Sequence, residues 1–163
     1  MSKVIHHTLT VERSYPVPAA KVYAAWANPV EKAKWFAGPD PWKEQERTVD
    51  FRVGGEERVQ GRFGTGPTSL FIAKYYDIIP NERIVYAYEM FVDGLRLSVS
   101  LATIEILSEG PNTRMVVTEM GAYFESQDTA RARQPGQDAA RSREEGTNFL
   151  MDKLGASLGF PRP

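Results

Sequence analysis

Cysteine is absent from the 163 residues, and histidine occurs only twice. Without a thiol the chain has no disulfide, no thiolate metal site and no cysteine nucleophile, and the composition fits a reducing compartment, so a cytoplasmic location is expected. Charge of one sign is also lacking, since 20 Lys and Arg stand against 21 Asp and Glu. No net field steers such a chain onto nucleic acid or an anionic membrane, and neither is expected as a partner. No apolar run approaches the ~20 residues of a membrane-spanning helix. The start, MSKVI, has no apolar core of a secretory leader, and neither an internal repeat nor a low-complexity tract is found. Partners must then be recognised by shape and apolar contact.

What is present is a chain long enough to bury about two thirds of its unfolded surface without metal or disulfide, read as a single domain spanning residues 1–163. Residues 137–159 form its longest patterned stretch. As a helix, this stretch puts Gly146, Leu150, Leu154 and Leu158 on one slowly drifting face with Met151 beside them, and Arg143, Glu144, Asp152 and Lys153 on the other. Gly159, followed by Pro161, is its stop signal. Glycine inside a helix costs roughly 1 kcal/mol relative to alanine. Gly146 on the apolar stripe therefore implies either an element crossing closely there or a ligand sharing the space.

Residues 6–15 read as an imperfect strand ended by Pro16 and Pro18, and PAAKVYAAWA then places Ala19, Val22, Tyr23 and Trp26 on one helical face. Asn28 suits an N-cap, Pro29 the first helical position and Glu31 the third, so PVEKAKWF starts a second short helix. Beyond GPDPW the period becomes two. Strands are expected at 45–53, 56–63, 69–79, 82–92, 95–107 and 112–124, with Gly54-Gly55 and Asp93-Gly94 as tight-hairpin signals. Short connections make these antiparallel neighbours. The expected architecture is α+β: seven antiparallel strands, two short helices after the first strand, and one long helix covering a face of the sheet.

Strand parity puts Ile84, Tyr86, Tyr88 and Met90 on one face, read as inward. In the strand of Phe71 and Tyr75 the two faces are equally apolar, and parity does not choose between them. In the following strand Leu95, Leu97, Val99 and Leu101 form the apolar face against Arg96, Ser98 and Ser100. Tyr23 and Trp35 belong to the short helices expected to close one end of a cavity.

The segments PVPAAKVYAAWANPVEKAKWFAG, DFRVGGEERV, YYDIIPNERIVYAYEM, NTRMVVTEMGAYFE and SREEGTNFLMDKLGASL, in this order and over nearly the whole chain, resemble the START-like, birch-pollen-allergen-like SRPBCC superfamily. Within it the chain is similar to the branch named after the C-terminal domain of the activator of the heat-shock protein 90 ATPase. The resemblance implies a helix-grip fold, a seven-stranded antiparallel sheet wrapped around the long C-terminal helix with an apolar cavity inside. It also implies non-catalytic binding of a hydrophobic or aromatic small molecule. Strand parity, the stripe of the last helix and the short helices make Tyr23, Trp35, Tyr86, Tyr88, Met90, Glu119, Gly146 and Leu150 the residues expected to line that site. A polyketide cyclase-like or lyase-type enzyme and a chaperone-associated interaction module are the alternatives it carries.

No metal or cofactor is expected. His6 and His7 lack further ligands at metal-binding spacing, Gly61-x-x-Gly64-x-Gly66 has neither the helix nor the lysine of a phosphate loop, and no nucleophile-elbow sequence frames a serine. Asp50 and Arg52 flank Phe51 in the DFRVGG motif. Glu119 shares a strand face with Met115, Val117 and Tyr123, so an inward orientation would desolvate it. It is the one candidate for acid–base catalysis, set against a plain ion pair with an arginine near the sheet rim.

Overall fold

The computed structural model describes residues 3–124 and 136–160. Seven strands, β1 (Val4–Tyr15), β2 (Trp42–Val49), β3 (Glu56–Phe63), β4 (Thr68–Ile79), β5 (Arg83–Val92), β6 (Leu95–Glu109) and β7 (Asn112–Phe124), make one antiparallel sheet. Its order is β1-β7-β6-β5-β4-β3-β2, a meander from β2 to β7 with β1 returned to the β7 edge. Helices α1 (Ala19–Ala27) and α2 (Pro29–Ala33) follow β1, and α3 (Gly136–Ser157) follows β7.

Local chemistry explains the boundaries. The Asn28 side chain accepts hydrogen bonds from the backbone N–H of Val30 (2.9 Å) and Glu31 (3.3 Å), which caps α2 and separates it from α1. Val92 pairs with Leu95 across Asp93-Gly94, whose φ angles of 49° and 78° are those of a tight hairpin. At the end of α3 the N–H of Gly159 bonds to the Ala156 carbonyl (3.0 Å) and that of Phe160 to the Gly155 carbonyl (2.8 Å), a Schellman termination.

Three departures from the expected pattern have physical causes. β2 runs over Trp42–Val49 rather than 45–53, because the Gly54-Gly55 pair does not turn a tight hairpin. Its backbone bonds to β4 instead, Gly54 N–H to the Tyr75 carbonyl (2.8 Å) and Tyr75 N–H to the Gly55 carbonyl (3.0 Å). β4 has no single apolar parity because a bulge between Tyr75 and Asp77 changes phase. Phe71, Ala73 and Tyr75 are buried before it, and Ile78 packs on the core after it.

The third departure lies in β6. The register shift opposite Met90 and Phe91 makes Leu97 an extra residue, so the even-numbered residues face inward from Ser98 onward. Ser98, Ser100, Ala102, Ile104 and Ile106 are buried while Val99 and Leu101 are exposed, the reverse of the expected apolar face. The core lies between the concave side of the sheet, α1 and α2 at one end, and α3 along the β1 and β7 side. Arg13 of β1 fixes α3 from outside, donating to Asn148 Oδ1 (3.0 Å) and Asp152 Oδ1 (3.1 Å).

Candidate functional site

Apolar side chains leave a space unfilled between these layers. The cavity has a volume of about 420 Å³. Its aromatic wall is continuous: Phe36 meets Phe71 edge-on at 4.9 Å, Phe71 meets Tyr88 at 5.0 Å, and Tyr88 lies 5.9 Å from Tyr86. Trp35 is fully buried and donates its indole N–H to the Ala25 carbonyl (2.9 Å), which ties the loop after α2 to α1. Trp42 donates to Ser69 Oγ (2.9 Å), and its ring occupies the space over Gly61, where a Cβ would come within 2.0 Å of the indole. Gly61 is thus a seat for a tryptophan, which accounts for a glycine inside β3.

Gly146 has the opposite role. A Cβ built on it would meet no heavy atom within 4 Å, and the residue is exposed at the cavity mouth. The close crossing that one reading of the sequence anticipated does not occur. Glycine here keeps the opening clear.

One end of the cavity is polar. Glu119 of β7 is only 5% exposed, and its carboxylate accepts hydrogen bonds from the Tyr88 hydroxyl and from Thr147 Oγ1 (2.8 Å). Arg143 of α3 donates to the Tyr88 hydroxyl (2.8 Å) and to Ser98 Oγ (2.9 Å), with its guanidinium 5.3 Å from the Tyr88 ring centre and 5.4 Å from that of Tyr123. Glu119 therefore forms neither the plain rim ion pair nor an isolated buried acid. Tyr88 stands between carboxylate and guanidinium. Burial pushes the Tyr88 hydroxyl well above the usual phenol range against the opposing Arg143 charge, and Glu119 adds to the rise, so it stays protonated. Tyr86 is shifted the same way by burial and then by Glu119.

A second charged pair lies behind the aromatic wall. Lys32 Nζ is 2.6 Å from Glu57 Oε2, and the Tyr75 hydroxyl donates to the same oxygen at 2.6 Å. Both charged residues are at most 1% exposed, and the ammonium sits 4.6 Å from the Phe36 ring centre and 5.7 Å from those of Trp26 and Tyr86.

Of the residues singled out in the sequence, Trp35, Tyr86, Tyr88, Met90, Glu119, Gly146 and Leu150 line the cavity. Tyr23 does not. It packs edge-on against Phe51 at 6.1 Å, outside the cavity wall. Asp50 and Arg52 form an exposed ion pair at 2.9 Å. His7 reaches Glu144 of α3 (3.3 Å), and no cluster of three metal-binding side chains exists among the described residues.

Arg143 is the main residue misplaced by the sequence reading, which put it on the solvent side of the last helix. Its spacing to Thr147, Leu150 and Leu154 was the available signal, since these four share the inward face. Lys32 and Glu57 had no local signal, being 25 positions apart and each set in a charged stretch, Glu31 to Lys34 and Glu56 to Arg58.

A concave antiparallel sheet, a long helix lying against it and an apolar cavity between them define a helix-grip fold of the START-like SRPBCC type. The family described as Activator of Hsp90 ATPase homolog 1-like protein matches residues 16–159, and the chain belongs to it. Among solved structures, a protein from Rhizobium leguminosarum is 34% identical, covers 98% of both chains and superposes with a TM-score of 0.84. The Mll3558 protein from Rhizobium loti is 37% identical over 95% of this chain and 99% of its own, with a TM-score of 0.81. The SA2116 protein from Staphylococcus aureus, at 15% identity, 96% coverage of each chain and a TM-score of 0.76, shares the fold. A search of curated proteins finds no match. No helix among the described residues is long and apolar enough to cross a membrane.

Proposed function

We propose that the protein is a non-catalytic container that holds a hydrophobic or aromatic small molecule in the cavity between sheet and α3. The observation that carries this reading is the aromatic wall of Phe36, Phe71, Tyr86 and Tyr88 together with the open space in front of Gly146. A space of about 420 Å³ matches a molecule of two or three fused rings. Met90 and Leu150, both half-buried, add apolar surface that a ligand would remove from water, at roughly 25 cal/mol per Å².

A cyclase- or lyase-type reaction would require Tyr88 or Glu119 to exchange a proton with the ligand. The hydrogen-bond pattern argues against that use, because the Tyr88 proton is committed to Glu119 and the second carboxylate oxygen to Thr147. Native mass spectrometry of freshly purified protein tests the container reading. Retention of an apolar molecule of a few hundred daltons supports it, and a chain that neither carries such a molecule nor takes up an added aromatic probe sinks it.

A further inference from the structure

The polar end of the cavity has hydrogen-bond donors that no described residue uses. Both Glu119 oxygens already accept, from Tyr88 and Thr147, and the Tyr88 hydroxyl both donates and accepts. Arg143 lines the cavity with two of its guanidinium N–H groups engaged, by Tyr88 and Ser98, out of the five that the group carries. The Tyr86 side chain also lines the cavity and is 5% exposed, and its hydroxyl has no hydrogen-bond partner among the described residues. Burial and the Glu119 charge keep that hydroxyl protonated, so it is available as a donor.

Charge at this end is already balanced, one carboxylate against one guanidinium linked through Tyr88. A ligand bringing a further charge would be stripped of water without an uncommitted counter-ion. An oxygen that accepts without being charged meets unused donors instead, and is not itself left unpaired.

We propose that the ligand is an uncharged aromatic or polycyclic molecule bearing a carbonyl-type acceptor, bound with that oxygen toward Tyr86 and Arg143 and its apolar body against Phe36, Phe71 and Trp42. This rests on the container reading and narrows it to a chemical class. The selection is made by two residues: Tyr86 from β5 and Arg143 from α3.

Four probes on one ring skeleton separate the cases: 2-ethylnaphthalene, 2-acetylnaphthalene, 2-naphthoate and 2-naphthylmethylammonium, titrated into the full-length protein near neutral pH. The ketone should bind roughly ten times more tightly than the ethyl compound, the gain expected of a hydrogen bond to a charged donor. Both ionic probes should bind more weakly than the ketone. Tyr86→Phe, which keeps the ring and the packing, should reduce the ketone's advantage while leaving the affinity of the ethyl probe within about twofold. Arg143→Leu should reduce it further, with the unfolding transition of each variant checked in parallel. Equal affinity of ketone and ethyl probes, tightest binding of the naphthoate, or a ketone advantage that survives in Tyr86→Phe and Arg143→Leu overturns this inference while the container reading stands. Failure of all four probes to bind overturns this inference, and overturns the container reading as well where the purified protein also carries no apolar molecule.

Discussion

Gly146 and Lys32 show how a single position fixes either space or charge inside this molecule. At Gly146 the absent side chain holds open the mouth, since no heavy atom stands within 4 Å of where a Cβ would lie. Gly146→Leu should therefore raise helix stability by about 1 kcal/mol, equivalent to a Tm increase of about 2 to 4 °C, while its bulk blocks entry of an aromatic probe. A fall in Tm measured by calorimetry would show that the site is crowded after all. Lys32 presents the reverse case, a buried ammonium held by Glu57 at 2.6 Å and ringed by Phe36, Trp26 and Tyr86. Glu57 Oε1 has no hydrogen-bond partner among the described residues, so the carboxylate depends on the other oxygen for its compensation. Lys32→Met should cost about 3 to 5 kcal/mol in denaturant unfolding because it strands a buried charge, and adding Glu57→Leu should restore most of that loss. A single variant within about 1 kcal/mol of the parent would show the pair to be solvated.

At the scale of elements, the periodic segments were legible because tertiary packing agrees with them. β3 and β7 fall at Glu56–Phe63 and Asn112–Phe124 as the alternation indicates, and Asn28, Asp93-Gly94 and Gly159 end their elements by the chemistry their side chains or missing side chains dictate. What could not be read locally was phase. Bulges at Tyr75/Asp77 and opposite Met90/Phe91 insert a residue, and each turns the following side chains over, so β4 reads as two-faced and the apolar face of β6 at Val99 and Leu101 is exposed while Ser98 and Ser100 are buried. Arg143 was misjudged for a related reason. Charge suggested solvent, but Tyr88 and Ser98 on distant strands supply its partners, and no local pattern encodes that meeting. The apolar half of α3 follows its stripe: Leu154 is fully buried, and Leu154→Ala should cost about 2 to 5 kcal/mol in equilibrium unfolding. A cost below about 1 kcal/mol would mean that α3 is not seated on the sheet as described. Removing residues 137–163 takes away the long cover of the concave face, and the truncated chain should give no cooperative thermal transition.

For the molecule as a whole, enclosing so many phenols sets the alkaline limit of stability. Tyr75, Tyr86 and Tyr88 each have a hydroxyl raised above the usual value of 10.0, first by burial and then by a neighbouring carboxylate, Glu57 for Tyr75 and Glu119 for Tyr86 and Tyr88. In the unfolded chain these phenols lose their protons near pH 10, whereas the folded protein retains them. Above that pH the unfolded state binds fewer protons than the folded one, so unfolding becomes more favourable as pH rises; below it the stabilisation is present in full. Each phenol contributes a slope of about 1.4 kcal/mol per pH unit, and the three together roughly 4, enough to exhaust an ordinary margin of stability within two or three units. Denaturant unfolding at pH 9, 10 and 11 should show a nearly flat stability followed by this steep decline, and tyrosinate absorbance from the three residues should appear only together with loss of structure. Tyr75→Phe should remove about one third of the slope while lowering stability at neutral pH, since it also deletes the hydrogen bond to Glu57. If instead these phenols titrate near pH 10 in a protein that remains folded, water reaches the aromatic wall freely, and neither the buried Glu57 and Glu119 networks nor an enclosed apolar cavity describes this interior.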